Sequence, residues 1–94
     1  MRIRWLPTPL ANLNAEAEYI ACDNPAAPAR MVATIASGVE HLVEHPAMGH
    51  PSRVSGTREL VAPYTPYIVP YRVRCNAVEV LRVFHAARKW PSGF

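Results

Sequence analysis

The stretch 57–85, TRELVAPYTPYIVPYRVRCNAVEVLRVFH, decides the fold. It holds three runs rich in β-branched and aromatic residues, 57–62, 67–74 and 77–85, separated by short turn-forming segments. Pro63 to Pro66 links the first two runs. Cys75-Asn76 is a two-residue connection in which Asn76 tolerates the positive φ of a tight hairpin. Connections this short make neighbouring strands antiparallel. In the middle run Tyr67, Val69, Tyr71 and Val73 fall on one face, and Ile68, Pro70, Arg72 and Arg74 on the other. Pro70 has no N–H to give to a ladder, so a bulge or gap is expected beside it.

Upstream, residues 46–56 are rich in Pro, Gly, Ser and His without an apolar period, the composition of a loop. Two helical patterns precede it. Thr8 followed by Pro9 supplies an N-cap and a first-turn proline. Leu10, Leu13, Ala17, Ile20 and Ala21 then form one apolar stripe, with Asn12, Glu16 and Asp23 facing out and an end expected near Cys22. Asn24-Pro25 repeats the start signal, and Val32, Ile35, Val39, Leu42 and Val43 make a second stripe to about His45, closed by Pro46. The few residues between the helices imply an antiparallel hairpin whose apolar faces need a sheet to cover. At the start, Ile3 and Trp5 alternate with Arg2 and Arg4, the period of a half-buried strand within Arg2–Leu6. The order is β-α-α-β-β-β: an α+β domain with a helical hairpin packed on one face of a four-stranded antiparallel sheet.

The 94 residues are read as one domain, 1–94, which excludes a two-domain enzyme. The chain is 50% hydrophobic and 18% charged, a globular balance rather than that of a disordered chain. A domain of this size buries only about 60–70% of its unfolded surface, so a partner adds much to its stability. No run approaches the roughly 18 apolar residues of a membrane span, and Pro7 and Pro9 interrupt the first apolar stretch against a signal peptide. The expectation is a cytoplasmic protein with no membrane partner. Cys22 and Cys75 form no CxxC pair and are read as reduced thiols filling space. Nine Arg against one Lys give most of a net charge of +3. The planar guanidinium favours phosphate and carboxylate, so nucleic acid and acidic protein segments are the partners to consider.

His41-Leu42-Val43-Glu44-His45 matches an H-x-x-E-H metal pattern, with two imidazoles one helical turn apart. A catalytic zinc needs a third ligand and a shaped cleft, and histidines at a helix C-terminus are explained by the dipole alone. No metal and no cofactor is expected. A second cluster carries Arg53, Arg58, Arg72, Arg74, Arg82, His85, Arg88 and Lys89 between Tyr64, Tyr67, Tyr71, Phe84 and Trp90. Basic groups interleaved with aromatics bind phosphates and stack on bases. The plainer reading is that strand arginines pair with Glu59 and Glu79. Arg82 and His85 differ by three in one strand, so they project to opposite faces unless a bulge intervenes. A poised carboxylate pair, a Gly-rich phosphate loop and a base for Ser52 or Ser55 are all missing.

From Pro46 onward the chain resembles the C-terminal half of bacterial RelE/ParE-family toxins of type II toxin–antitoxin modules. Pro46, Gly49, Arg58, Glu59, Leu60, Tyr67, Tyr71, Arg72, Leu81, Arg82, His85 and Arg88 match the family's ordered motifs. Ala17–Ala21, followed by D-N-P-A-A, is also similar to the family's first half. The resemblance implies the same β-α-α-β-β-β fold and two principal activities. ParE-like members inhibit DNA gyrase without a hydrolytic site; RelE-like members cleave mRNA on the ribosome with basic groups that stabilise the phosphorane-like transition state. Where RelE-like toxins read Y-R-L-V-Y with a catalytic arginine, this chain reads Tyr67-Ile68-Val69-Pro70-Tyr71, and Ile68 cannot hold a phosphate. Residues around Glu59 and Val61 replace the lysines that RelE carries on the preceding strand. Arg88 does match a functional arginine of RelE-like members.

The resemblance therefore favours the ParE-like role, with Arg58, Arg82, His85, Arg88, Lys89 and Trp90 as target contacts. In the nuclease alternative Arg58, Arg82 and Arg88 would bind phosphate and His85 would act as acid or base. A further alternative is an inactive homologue serving only antitoxin binding and operon autoregulation. Each implies a cognate ParD/RelB-like antitoxin in a hetero-oligomer, with operator DNA reached only through the antitoxin. Gyrase, or alternatively ribosome and mRNA, would be the target.

Overall fold

The β-rich half folds around the long strand β4 (Tyr67–Arg74), which turns through Cys75-Asn76 into β5 (Ala77–Val80). Both turn residues are left-handed, at φ 52 and 57, as a two-residue hairpin requires. On its other side β4 pairs antiparallel with β3 (Arg58–Val61), Leu60 opposite Val69. The computed structural model describes residues 1–21, 26–62 and 65–86.

Pro70 perturbs the ladder as expected. Tyr71 stands opposite Val80, yet Tyr67 stands opposite His85 in the short strand β6 (Phe84–His85). Three residues, Leu81 to Val83, therefore face two, Val69 and Pro70, which is a bulge in the third β-like run. The Leu81 N–H still reaches the Pro70 carbonyl at 2.9 Å.

The first strand, β1 (Arg2–Trp5), lies beside β5 and runs parallel to it, Arg2 opposite Ala77 and Trp5 opposite Val80. The sheet is thus mixed rather than wholly antiparallel. No hairpin joins β1 to its neighbour, so its direction is set by the two-helix connection instead of by a turn. The loop expected over 46–56 contributes one further two-residue strand, β2 (His50–Pro51), paired with β3. The sheet order is β1-β5-β4-β3-β2, with β6 beside the first half of β4.

Two helices of 15 residues each, α1 (Pro7–Ala21) and α2 (Ala27–His41), pack on each other. Pro7 rather than Pro9 takes the first position of α1. In α2, Pro28 supplies the early proline and no side chain caps Ala26; the expected Asn24-Pro25 signal and Cys22 and Asp23 lie outside the described residues. The second helix ends at His41 with Leu42 as its C-cap, about a turn earlier than His45.

Leu13, Met31, Ile35, Val39 and Leu42 from the helices meet Leu60, Tyr67, Val69, Tyr71, Val78, Val80 and Val83 from the sheet in one core, with Ile3, Trp5 and Ala17 packed against it. Leu10 and Val32, assigned to apolar stripes, are exposed. The side chains of Ile20 and Ala21 lie outside the described set. Glu16, expected to face out, is buried because Tyr67 offers it a hydroxyl. Cys75 is exposed at the hairpin turn instead of filling space.

Candidate functional site

The residues that carry the family-like motif of the loop converge on Tyr71. Its ring is fully buried on the helix face of β4, and its hydroxyl donates to the Pro46 carbonyl at 2.7 Å. The same oxygen accepts the Gly49 N–H at 3.0 Å. Arg58, opposite Tyr71 on β3, donates Nη1 to the Gly49 carbonyl at 2.7 Å and to the Ala47 carbonyl at 3.4 Å. Gly49 leaves no room for a side chain: a Cβ there would meet the Glu59 carbonyl at 2.6 Å and the Tyr71 hydroxyl at 2.7 Å. Burial raises the Tyr71 pKa, against the Gly49 hydrogen bond and the Arg58 charge. Pro46, Gly49, Arg58 and Tyr71 thus form one lock that fastens the loop to the sheet.

Between α1 and the sheet lies a buried polar group. The Tyr67 hydroxyl donates to Glu16 Oε2 at 3.0 Å, and the Tyr67 ring meets His85 edge-on at a centroid distance of 5.6 Å. One turn earlier on α1, Asn12 Oδ1 accepts the Val83 N–H at 3.2 Å. That N–H belongs to the bulge that Pro70 imposes, so a helix side chain closes a gap in the ladder.

The opposite face of the sheet is basic. Glu79, buried on β5, accepts Arg72 Nε at 2.6 Å and Arg4 Nη1 at 3.1 Å. The Arg72 hydrogen bond holds its carboxyl below the ordinary range; burial opposes this, and the charges of Arg72, Arg74 and Arg4 reinforce it. Toward the other edge Glu59 meets His50 Nε2 at 3.1 Å and accepts the Ser52 hydroxyl at 3.3 Å. A shallow groove separates α2 from β3, lined by Gly38, His41, Met48, His50, Leu60 and Val61. Met48 and Val61 are exposed along it.

These positions separate the residues singled out from sequence. Arg58 belongs to the loop lock. His85 lies on the helix face with Tyr67, whereas alternation from Phe84, opposite Ile68, puts Arg82 on the basic face. The bulge over Leu81 to Val83 contains Arg82 and does not bring the two together. Arg82 is half-buried, its Nε without an acceptor among the described residues. Arg88, Lys89 and Trp90 lie outside the described residues. His41 and His45 are exposed, and no cluster of three possible metal ligands forms among the described residues.

Sequence reading missed Arg2 and Arg4 as members of the basic cluster. Their only signal was alternation with Ile3 and Trp5, which cannot say which strand they join.

Comparison with known proteins supplies the context. A family model described as ParE toxin of type II toxin–antitoxin system, parDE, matches residues 3–90. The chain is 48% identical over 90 residues to Y4kP of Sinorhizobium fredii, a protein named as a toxin, covering 96% of this chain and 93% of the relative. It is 33% identical over 87 residues to toxin RelE2 of Caulobacter vibrioides, covering 93% of this chain and 97% of that one. Its fold matches a solved structure described as the chromosomal ParDE system of P. aeruginosa with a TM-score of 0.82 at 27% identity, over 90% of this chain and 95% of the other.

Proposed function

Because the chain belongs to the ParE toxin family of type II toxin–antitoxin systems, we propose that it arrests growth by inhibiting DNA gyrase and that a cognate ParD/RelB-like antitoxin neutralises it in a hetero-oligomer. Ile68 carries the choice of target. It sits on the basic face between Val61 of β3 and Phe84 of β6, an apolar row where a phosphate-cleaving toxin of this fold presents an arginine. The nearest described carboxylate on that face toward the β2 edge, Glu59, repels phosphate. Arg82, His85, Arg88, Lys89 and Trp90 are the proposed gyrase contacts, and Arg58, whose guanidinium holds the loop at Ala47 and Gly49, is proposed with them.

The antitoxin is proposed to lay an amphipathic segment over the helical hairpin and the groove between α2 and β3. Met48 and Val61 offer it apolar surface there, which the apolar side of such a segment would cover. Action in the cytoplasm, plasmid stabilisation and access to operator DNA through the antitoxin belong to the same proposal. No helix among the described residues is long and apolar enough to cross a membrane.

The ribosome-dependent nuclease remains the second reading, favoured by the likeness to RelE2 and by the contact of His85 with Tyr67. It would need His85 as acid or base together with Arg82 as phosphate ligand, from opposite faces of the sheet. An inactive homologue that only binds its antitoxin is the third.

Expression from a tight promoter in bacteria lacking the antitoxin, with labelled precursors followed into DNA and protein, separates the three. DNA synthesis stopping first supports gyrase inhibition. Protein synthesis stopping first overturns it in favour of the nuclease, and neither stopping assigns the chain to the interaction-only role.

A further inference from the structure

On the face of the sheet away from the helices, the parallel docking of β1 on β5 builds an arrangement that is not visible in the linear sequence. Arg2 stands beside Ala77, which pairs on its other side with Arg74; Arg4 stands beside Glu79, which pairs with Arg72. Four arginines therefore form a two-by-two lattice around one carboxylate, with a local charge of +3. Neighbouring strands are about 4.8 Å apart, so the β1 and β4 columns are separated by about 10 Å; rows two residues apart along a strand are separated by about 7 Å.

Glu79 organises the lower row. It takes Arg72 through Nε and Arg4 through one Nη, which fixes both guanidinium groups and leaves both Nη groups of Arg72 without an acceptor among the described residues. Arg2 and Arg74, in the upper row, are exposed, and neither makes an ion pair with a carboxylate among the described residues. The side chain between them is only the methyl group of Ala77.

We propose that this lattice binds the phosphodiester backbone of duplex DNA directly, Arg2 and Arg74 of the upper row straddling the minor groove while Arg4 and Arg72 stay drawn together on Glu79. Three features favour that ligand. The rows repeat along the strands at about the spacing of successive phosphates on one DNA strand. The minor groove is about 6 Å wide and its flanking phosphates lie somewhat farther apart, close to the separation of the backbone positions of Arg2 and Arg74 on either side of Ala77. All four groups are arginine, whose planar fork pairs with phosphate oxygens through two N–H groups. No aromatic ring lies within the lattice, so it is built for backbone contact rather than base stacking. The surface is independent of the gyrase reading, which assigns other residues, and gives the toxin a DNA contact of its own in addition to any made through the antitoxin.

The test is fluorescence anisotropy of a short labelled DNA duplex with the full chain, over salt from roughly 50 to 200 mM. Each phosphate contact contributes about 0.9 to the slope of log affinity against log salt, so the double variant Arg2→Ala/Arg74→Ala should lose about 1.8 of that slope and bind more weakly. Both side chains are exposed, so circular dichroism should match the parent. Arg2→Lys/Arg74→Lys should keep the slope. Arg53→Ala, in the loop beyond the opposite edge of the sheet, should bind like the parent.

An unchanged slope in the double alanine variant overturns the proposal, as does absence of binding by the parent. Arg2- and Arg74-dependent binding of a labelled poly-glutamate peptide, tighter than that of the duplex, also overturns it and gives the face to an acidic protein segment. A chain that binds duplex through these residues yet leaves DNA synthesis running keeps this inference and loses only the gyrase reading.

Discussion

Replacing Tyr71 by Phe removes one oxygen and nothing else, and that oxygen joins two loop residues to the sheet. It donates to the Pro46 carbonyl at 2.7 Å and accepts the Gly49 N–H at 3.0 Å. Gly49 is buried, so its N–H is left unpaired at about 1–3 kcal/mol. Pro46 is half-buried, and its carbonyl recovers water, leaving the net loss of about 0.5–1.5 kcal/mol for an ordinary hydrogen bond. The sum is about 1.5–4.5 kcal/mol, a fall in Tm of roughly 6–36 °C for a domain of this size. Urea unfolding followed by circular dichroism measures it, with hydrogen exchange of the Gly49 amide as a local readout.

The two locks on the loop also couple. Arg58→Ala removes the donor to the Gly49 carbonyl, so the double variant should lose less than the sum of the singles by about 0.5 kcal/mol or more. Because the folded pKa of Tyr71 is raised above 10.0, its contribution is complete below pH 10 and is lost as pH rises through the folded value. The parent should therefore lose stability more steeply than Tyr71→Phe above pH 10. A Tyr71→Phe loss under about 0.5 kcal/mol, with Gly49 still protected from exchange, would refute the idea that this hydroxyl fastens the loop.

Gly49→Ala should destabilise by about 1–3 kcal/mol in the same urea assay, because its Cβ would meet the backbone oxygen of Glu59 as well as the Tyr71 hydroxyl. Glu79→Gln should flatten the acid limb of the stability curve: the folded carboxyl titrates below 4.5, so its contribution is present above that pH and lost as pH falls through the folded value. Tyr67→Phe should cost about 1.5–3 kcal/mol by removing a hydroxyl bonded to the buried Glu16 carboxylate, measured by thermal unfolding. Reversing charge at Arg82 and Arg88 together should weaken growth arrest at equal expression, and undiminished toxicity would remove both from the target surface.

The helical pair, the three C-terminal strands and the break at Pro70 were legible because each rests on local chemistry: a 3.6-residue period, a two-residue turn, a missing N–H. The direction of β1 was not, since a strand that returns through two helices has no turn to fix its sense. Glu16 shows a second limit. Its spacing, three after Leu13 and four before Ile20, is that of the apolar stripe, and only its charge reads as solvent-facing; the Tyr67 hydroxyl, 51 residues away, satisfies it inside. The helix starts were misplaced by a few residues because Pro7 and Pro28 compete with Pro9 and Pro25 for the same role, and backbone geometry chooses among them.

Sequence matching and function part company most clearly at Arg58. It belongs to the motif that made the family recognisable, and its charge made it a natural target contact. Yet its Nη1 lies on two loop carbonyls, beside a tyrosine that binds the same loop. A motif residue with all its polar contacts inside the fold explains why the fold recurs, not what the fold acts on. By the same criterion Arg2 and Arg74, which match no motif and make no ion pair among the described residues, are better placed to meet a partner. The two faces of one sheet thus divide the arginines: the helix side uses Arg58 to shape a loop, and the open side holds charge in reserve around a single buried carboxylate.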